Sequence, residues 1–315
     1  MARGGSSSYR RASRHAMPKL ALRHAAACGL AFLVSLGLVG SGVHVPPDAV
    51  PDDADRFPFV VAIEADGRLI CSGTVLYRRL VVTAAHCLQQ LMIVRGMRFY
   101  VNDYVRPEAL SVRVVQGGAV TSYAVAEVAI SPGWLASGTS QQSSARLPYD
   151  LALLVTQEPI DVTLPGSGLA EGAALTPSSP AGPGGHRGVL VAFGGTKCLR
   201  SGRCPDAGVR RFVRVAIKDG SVCFKSRLDR QAGLPHTVWC TDSLVLPGDS
   251  GGALLVEASD GTLQYVGVIS AQRGLPPEFH SLASWQQSAA AALAPNRDFI
   301  LDTARALGDA LSSDP

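Results

Sequence analysis

The sequence lacks the patterns that mark zinc-binding and nucleotide-binding proteins. No C-x2-C pair is present, which argues against a zinc site. The stretch PSSPAGPGGHRG (177–188) does not connect a strand to a helix, so we interpret its glycines as a plain loop and not as a phosphate-binding loop. No segment repeats at a fixed period. We therefore expect neither a metal nor a cofactor.

An excess of positive charge is also missing from most of the chain. The formal net charge is +4, but 6 of the 29 basic residues and none of the acidic ones lie in residues 1–42. Residues 43–315 hold 23 basic and 25 acidic side chains, a net charge of −2. The sequence therefore predicts no nucleic-acid partner.

Residues 1–42 are typical of a targeting segment. Six basic residues lead into AAACGLAFLVSLGLVG (25–40), an apolar run of 16 residues. That is the length of a signal-peptide core and falls short of the roughly 20 residues of a membrane span. No A-x-A cleavage site follows, so an uncleaved N-terminal anchor stays an alternative, and only then do we expect a membrane partner. A signal peptide predicts a secreted or periplasmic protein.

Cysteine is scarce, and its count is informative. Cys28 lies inside the apolar run. Six cysteines follow it: Cys71, Cys87, Cys198, Cys204, Cys223 and Cys240. An even number behind a signal peptide predicts an oxidising compartment and three disulfides, for which 15 pairings are possible in principle. Buried free thiols are the alternative.

Short β-type runs separated by turns fill the region after the leader. FPFVVAIEADGRLICSGTVL (57–76) predicts two strands joined by a hairpin turn at Asp66-Gly67. Runs of strand length continue to LALLVT (151–156) and resume from VLVAFGG (189–195) to QYVGVIS (264–270). Two blocks of strands predict an all-β protein with two β-barrels.

One helical pattern closes the chain. RDFILDTARALGDAL (297–311) places four apolar residues on one helix face: Ile300, Ala304, Leu307 and Leu311. We therefore expect a C-terminal α-helix after the second barrel.

Three fragments carry side chains suited to acyl transfer: LVVTAAHC (80–87), YDLALL (149–154) and GDSGG (248–252). Such chemistry needs a serine, a base for its proton, an acid that fixes the tautomer of the base, and N–H donors for the oxyanion. His86, Asp150 and Ser250 supply the three side chains. The glycines beside Ser250 allow the N–H groups of Gly248 and Ser250 to form an oxyanion hole.

The three fragments, in this order, resemble those of the chymotrypsin-like (trypsin-fold) serine proteases, over roughly residues 43–311. The resemblance implies a secreted, bacterial-type member with two antiparallel six-stranded β-barrels. Residues 43–165 would form the barrel with His86 and Asp150, and residues 166–315 the barrel with Ser250 and the terminal helix. It also implies a monomeric serine endopeptidase that acts on protein or peptide substrates.

The resemblance assigns further residues. It implies three disulfides: Cys71–Cys87, Cys198–Cys204 and Cys223–Cys240. Ser270, in VISAQ (268–272), matches the serine that hydrogen-bonds the catalytic aspartate.

The specificity pocket departs from the family pattern. Leu246 replaces a cysteine, and Leu244 stands where trypsin-type enzymes carry an acid. Ala271 replaces the usual tryptophan, and Gln272 replaces a glycine that lines the pocket. We therefore expect cleavage after apolar or small side chains, and not after Arg or Lys.

Activation departs from the pattern as well. In the family, the acid before the serine, here Asp249, pairs with a new N-terminal amine made by cleavage before an I-V-G-G-like sequence. No such sequence occurs here, but Val43 lies at about the right distance from the first strand. We hypothesise that signal cleavage after Gly42 supplies the amine.

Two other functions fit parts of the sequence. GDSGG also satisfies the G-x-S-x-G pattern of α/β-hydrolases, but that fold needs helices between parallel strands and the order Ser, acid, His, so we reject it. A non-catalytic protease homologue that acts as a binding module remains the alternative, because the pocket departs from the pattern.

Overall fold

The structure is a computed structural model. It describes residues 43–44, 49–94, 97–137, 144–162, 186–198, 204–225, 227–231, 233–257, 261–273 and 287–306, all within the unit Ser41–Pro315. The leader and the predicted barrel boundary at residue 165 therefore lie outside the described residues. Within these ranges, no helix is both long and apolar enough to cross a membrane.

The described strands, in chain order, are β1 Val43–His44, β2 Val50–Pro51, β3 Val60–Ala65, β4 Arg68–Tyr77, β5 Leu80–Thr83, β6 Gln89–Val94, β7 Met97–Tyr104, β8 Leu110–Gln116, β9 Ala119–Ile130, β10 Ala152–Thr156, β11 His186–Ala192, β12 Lys197–Cys198, β13 Arg211–Asp219, β14 Val238–Thr241, β15 Ala253–Glu257, β16 Leu263–Arg273 and β17 Gln287–Ala292. The described α-helices are α1 Pro132–Ala136, α2 Arg227–Gln231, α3 Leu234–Thr237 and α4 Arg297–Ala306.

The first barrel is built from strands between β3 and β10. They are joined by antiparallel pairing in the closed order β10-β5-β4-β3-β8-β9. At the turn between β3 and β4, Asp66 has φ 49° and Gly67 has φ 71°. This left-handed backbone is that of a two-residue hairpin turn, so the predicted hairpin is confirmed.

The second barrel closes through the order β11-β15-β16-β17-β14-β13 and a further pairing of β11 with β13. The short strand β2 adds to β13 at the edge. Both barrels are thus antiparallel and six-stranded, and α4 follows them. The predicted all-β fold class with a C-terminal α-helix is confirmed.

One apolar core extends across both barrels. It joins residues such as Leu154 of the first barrel to Leu255 of the second. Helix α4 contributes Ile300 and Ala304 to this core, as its sequence pattern predicts. Leu307 and Leu311 of that pattern lie outside the described residues.

Disulfides link three pairs of cysteines: Cys71–Cys87, Cys198–Cys204 and Cys223–Cys240. These are the pairs that the resemblance implies. The bond between Cys71 and Cys87 spans a sequence separation of 16. A closed loop of that size stabilises a fold by about 3 kcal/mol in the chain-entropy account.

Candidate active site

The first barrel brings His86 and Asp150 together. His86 lies in a 3-10 turn, Ala85–Cys87, that begins two positions after the end of β5, and Asp150 lies two positions before the start of β10. Strands β5 and β10 are paired, so the two residues meet at the same end of the barrel. The Nδ1 atom of His86 is 2.7 Å from Oδ2 of Asp150, and the backbone N–H of His86 donates to Oδ1 at 2.9 Å.

Ser270 of β16 completes the environment of Asp150 from the second barrel. Its hydroxyl donates to Oδ2 of Asp150, whose side chain is only 2% exposed. Burial raises the pKa of Asp150, but the charge of His86 and the hydrogen bonds from His86 and Ser270 lower it more, so the net pKa lies below its usual value. Asp150 is therefore an ionised carboxylate with both oxygens occupied.

The ionised Asp150 fixes the state of His86. A carboxylate can only accept hydrogen bonds, so Nδ1 of His86 carries the proton and Nε2 is left as an acceptor. Burial lowers the pKa of His86, but the charge and hydrogen bond of Asp150 raise it more, while Arg146 acts to lower it. The net pKa of His86 is raised. An imidazole in this state can act as a general base.

The nucleophile candidate Ser250 lies in a tight turn of glycines before β15. Gly248 has φ +98° and Gly251 has φ +84°. A Cβ atom on Gly251 would lie 2.1 Å from the carbonyl oxygen of Ser72, so only glycine fits there. The turn is fixed to β16, because Gly251 N–H donates to the Ile269 carbonyl at 2.7 Å.

One hydrogen bond and one disulfide connect the chain at Ser250 to the chain at His86. The N–H of Ser72 donates to the carbonyl of Ser250 at 2.8 Å, and the neighbouring Cys71 is bonded to Cys87, which follows His86. The sulfur atoms of Cys71 and Cys87 and a ring nitrogen of His86 lie within 4.8 Å of one another. Because the two sulfur atoms are bonded to each other, they are not free as metal ligands.

Gly248 and Ser250 have N–H groups with no described acceptor, whereas the carbonyls of both residues accept hydrogen bonds from Ser72. Two unpaired N–H groups separated by one residue can act as donors to a bound oxyanion. The turn therefore has the elements of an oxyanion hole.

Asp249 is held by backbone groups of the second barrel. Its carboxylate accepts hydrogen bonds from the N–H of Gly194 at 3.0 Å and of Leu246 at 2.7 Å. Burial raises the pKa of Asp249 to about 7, although these hydrogen bonds and the charge of Arg211 act to lower it. Among the described residues, no salt bridge to Asp249 is found.

A small cavity of about 40 Å³ lies against Asp249. Its walls include Ala49 and Arg211. Val43, the predicted N-terminus, pairs instead with Cys198 in the two-stranded sheet of β1 and β12. Within the described part of the N-terminal segment, Ala49 is the residue on the cavity wall.

The predicted specificity residues lie in two separate parts of the second barrel. Leu244 and Leu246 are buried and pack against the disulfide of Cys198 and Cys204, and Leu244 also lines the cavity beside Asp249. Ala271 and Gln272 lie in β16, where they pair with Ala289 and Ser288 of β17. Their side chains lie outside the described part of the structure.

Sequence reasoning missed two residues beside this site. Ser72 hydrogen-bonds the turn of Ser250, and the guanidinium carbon of Arg146 lies 3.6 Å from the ring centroid of Trp134 while its charge acts on His86. Ser72 directly follows Cys71 and Arg146 precedes Asp150 by four residues, so proximity to a motif was the only available signal.

Two closed six-stranded barrels that meet around a buried aspartate hydrogen-bonded to a partly exposed histidine define the class of chymotrypsin-like serine proteases. A family model described as Trypsin matches residues 49–279, and the chain belongs to that family. No curated protein matches the chain.

Proposed function

We propose that the protein is a serine endopeptidase in which His86, Asp150 and Ser250 form the catalytic triad. The observation that carries the proposal is the environment of Asp150. Both of its carboxylate oxygens are committed, to the ring and the N–H of His86 and to the hydroxyl of Ser270. A buried ionised carboxylate that fixes one imidazole tautomer serves a base.

The proposed reaction follows from these roles. Nε2 of His86 takes the hydroxyl proton as Oγ of Ser250 forms a bond to the carbonyl carbon of the substrate. The N–H groups of Gly248 and Ser250 bind the oxyanion, and loss of one such donor typically costs about a hundred- to a thousandfold in rate. His86 then gives the proton to the leaving amine, and water hydrolyses the acyl-enzyme by the same steps. Asp150 stays ionised and stabilises the imidazolium.

The proposed substrates are proteins or peptides with an apolar or small residue before the cleaved bond. The sequence supports this preference, because Leu244 occupies the position of the acid in trypsin-type enzymes. We also place the protein outside the cytoplasm, secreted or periplasmic, as a monomeric, bacterial-type member of the family. The even number of cysteines after the leader and the three disulfides support that location.

Asp249 is proposed to pair with the α-amino group of Val43 after signal cleavage behind Gly42. The burial of its carboxylate beside a cavity supports a need for a cation there. A mature protein that starts well away from Val43 in N-terminal sequencing would contradict this step.

The test of the peptidase is covalent labelling with a fluorophosphonate probe, in which Oγ of Ser250 displaces fluoride from phosphorus. Labelling is measured for the full chain and for the form that begins at Val43. We expect the labelled species to be absent in the Ser250→Ala variant of either form. Ser221→Ala, which changes an exposed serine of the second barrel, is the matched control and should label normally. A peptide-library digest then reports the residue preceding the cut.

Two outcomes would overturn the proposal. Labelling that persists in Ser250→Ala would assign the nucleophile elsewhere. A folded wild type that neither labels nor cleaves would favour the second candidate, a non-catalytic homologue that acts as a binding module. The observation that favours this candidate is the partly buried Asp249, which has no salt-bridge partner among the described residues.

A further inference from the structure

Ser72 connects the first barrel to the nucleophile turn. It lies in β4, it is completely buried, and it directly follows the disulfide-bonded Cys71. Its N–H donates to the carbonyl of Ser250 at 2.8 Å, and its hydroxyl donates to the carbonyl of Gly248 at 2.7 Å. One side chain and one amide of the first barrel therefore hold two carbonyls of the turn.

The hydroxyl of Ser72 has its own direction fixed. It accepts a hydrogen bond from the N–H of Phe193 at 2.8 Å, so its proton is left for the carbonyl of Gly248. The carbonyl of Ser72 is held too, because the hydroxyl of Thr83 donates to it at 2.7 Å. Ser72 is thus a rigid support, and its bonds lie in a dry environment where hydrogen bonds are strong.

These contacts act on the peptide units around the oxyanion donors. The carbonyl of Gly248 belongs to the peptide unit that lies between the two donor N–H groups, those of Gly248 and Ser250. The carbonyl of Ser250 belongs to the unit that follows the peptide with the Ser250 N–H. Ser72 therefore holds the units on both sides of the peptide that carries the Ser250 N–H. That peptide is itself held by the N–H of Gly252, which donates to the carbonyl of Asp249 at 3.0 Å.

A support of this kind matters because the other bonds of the turn come from the second barrel. The N–H of Gly251 donates to the Ile269 carbonyl at 2.7 Å and the N–H of Asp249 to the Leu246 carbonyl at 2.9 Å, whereas the Gly248 carbonyl is held by Ser72. Gly248 has φ +98°, and a glycine peptide rotates at low cost when it is not held. Asp249 braces the turn through two N–H groups, with no described salt bridge. The hydroxyl of Ser72 is the bond from the first barrel that fixes the orientation of the Gly248 carbonyl.

We propose that Ser72 is a positioning residue for the oxyanion hole, which keeps the N–H groups of Gly248 and Ser250 aimed at the substrate oxygen. This inference rests on the proposed peptidase function. Ser72 is outside the proposed triad and makes no proposed contact with substrate, yet it is expected to affect kcat. Because the oxyanion forms in the transition state, misaligned donors lower kcat and leave KM nearly unchanged.

The test is Ser72→Ala, measured with a peptide substrate as kcat per active site, the sites being counted by fluorophosphonate labelling. We expect kcat to fall about tenfold, the cost of losing one buried hydrogen bond that holds the donors, with KM within about twofold. The affinity for a peptide boronic acid, whose adduct places an oxygen in the oxyanion hole, should fall in parallel with kcat/KM.

The matched control is Thr156→Val. Thr156 is also fully buried, in β10, and its hydroxyl donates to the carbonyl of Glu158 at 2.7 Å, the same length as the bond from Ser72. Its loss should reduce stability and leave kcat per labelled site unchanged.

Two further variants of Ser72 separate the hydroxyl from the rest of the side chain. Ser72→Gly removes the hydroxyl and the Cβ, and should lower kcat as Ser72→Ala does. Ser72→Thr retains the hydroxyl and should keep more of kcat.

The outcomes separate this proposal from the peptidase proposal. A kcat per labelled site within twofold of wild type in both Ser72→Ala and Ser72→Gly would overturn the role of Ser72 while the enzyme remains a peptidase. A wild type that does not label would instead overturn the proposed function itself. A fall in the number of labelled sites alone, with normal turnover at each, would mean that Ser72 serves stability only.

Discussion

Arg146 places a positive charge beside the base of the proposed triad. Its side chain is buried at 4% exposure and stacks on the ring of Trp134, with 3.6 Å between the guanidinium carbon and the ring centroid. Its charge lowers the pKa of His86, against the stronger opposite effect of Asp150. The pKa of His86 therefore reflects a balance between burial and Arg146, which lower it, and Asp150, which raises it.

Replacement of Arg146 by methionine should move this balance. Because His86 acts as a base only when neutral, activity is lost as the pH falls through its pKa, and removal of a nearby cation raises that pKa. We expect the acid limb of the kcat/KM profile of Arg146→Met to lie at higher pH than that of wild type. Arg305→Met, at an exposed arginine of α4, is the control. An acid limb at the same pH as in wild type, or at a lower pH, would contradict the effect of Arg146 on the pKa of His86.

Residues such as His86, Asp150 and Ser250 could be proposed from the sequence because each lies in a local fragment that its chemistry requires. Ser72 and Arg146 could not. The hydroxyl of Ser72 reaches Gly248 across 176 residues of sequence, and serine in a strand has no pattern that predicts such a partner. Long-range contacts of single polar side chains depend on the docking of two barrels, which no local spacing encodes.

At the scale of elements, Asp206 fixes the turn between β11 and β12. Its carboxylate accepts hydrogen bonds from the N–H groups of Thr196 and Lys197 and from the hydroxyl of Thr196, and it pairs with Arg211 of β13. Burial raises the pKa of Asp206, but these groups together lower it to about 2. The carboxylate thus favours the folded state wherever it is ionised.

Asp206→Asn should therefore destabilise the protein in a pH-dependent way. The folded pKa lies below the unfolded value of about 3.9, so the contribution is complete above pH 4 and is lost as the pH falls through about 2. We expect a loss of about 1 kcal/mol in the free energy of unfolding at pH 7, because hydrogen bonds to a charged acceptor are replaced by neutral ones. Urea unfolding at pH 7 and pH 2.5 checks this, with Asp302→Asn at the exposed partner of Arg305 as control. An equal difference at both pH values would refute it.

Among the elements, the β3–β4 hairpin was predictable and β17 was not. The hairpin has a turn sequence with a specific backbone requirement at Asp66 and Gly67. Strand β17 is Gln287–Ala292, and its alanines favour a helix when considered alone. They form a strand because their small side chains fit, fully buried, between β14 and β16 of the second barrel. Tertiary packing overrides propensity there.

At the scale of the whole molecule, Asp249 makes stability depend on pH in the opposite sense to Asp206. Its folded pKa of about 7 lies above the unfolded value of about 3.9. The folded state therefore binds the proton more tightly. This stabilising contribution is complete below pH 4 and is lost as the pH rises through about 7.

Thermal unfolding between pH 4 and pH 8 of wild type and Asp249→Asn checks this prediction. Relative to the asparagine variant, the full chain should lose stability over that interval. If the amine of Val43 reaches Asp249, as the sequence predicts, the chain beginning at Val43 should lack this loss, because the pair keeps the carboxylate ionised. An equal loss of stability in the full chain and in the chain beginning at Val43 would contradict the pairing of Asp249 with the N-terminal amine.

The two halves of the site come from different barrels: β5 and β10 position His86 and Asp150, whereas the turn before β15 carries Ser250 and β16 carries Ser270. Neither barrel alone contains all three residues of the proposed triad. During refolding, the proposed reactivity of Ser250 should therefore appear when the two barrels dock, and not when either barrel forms. The rate at which labelling by the fluorophosphonate probe recovers would then measure the rate at which the two barrels assemble.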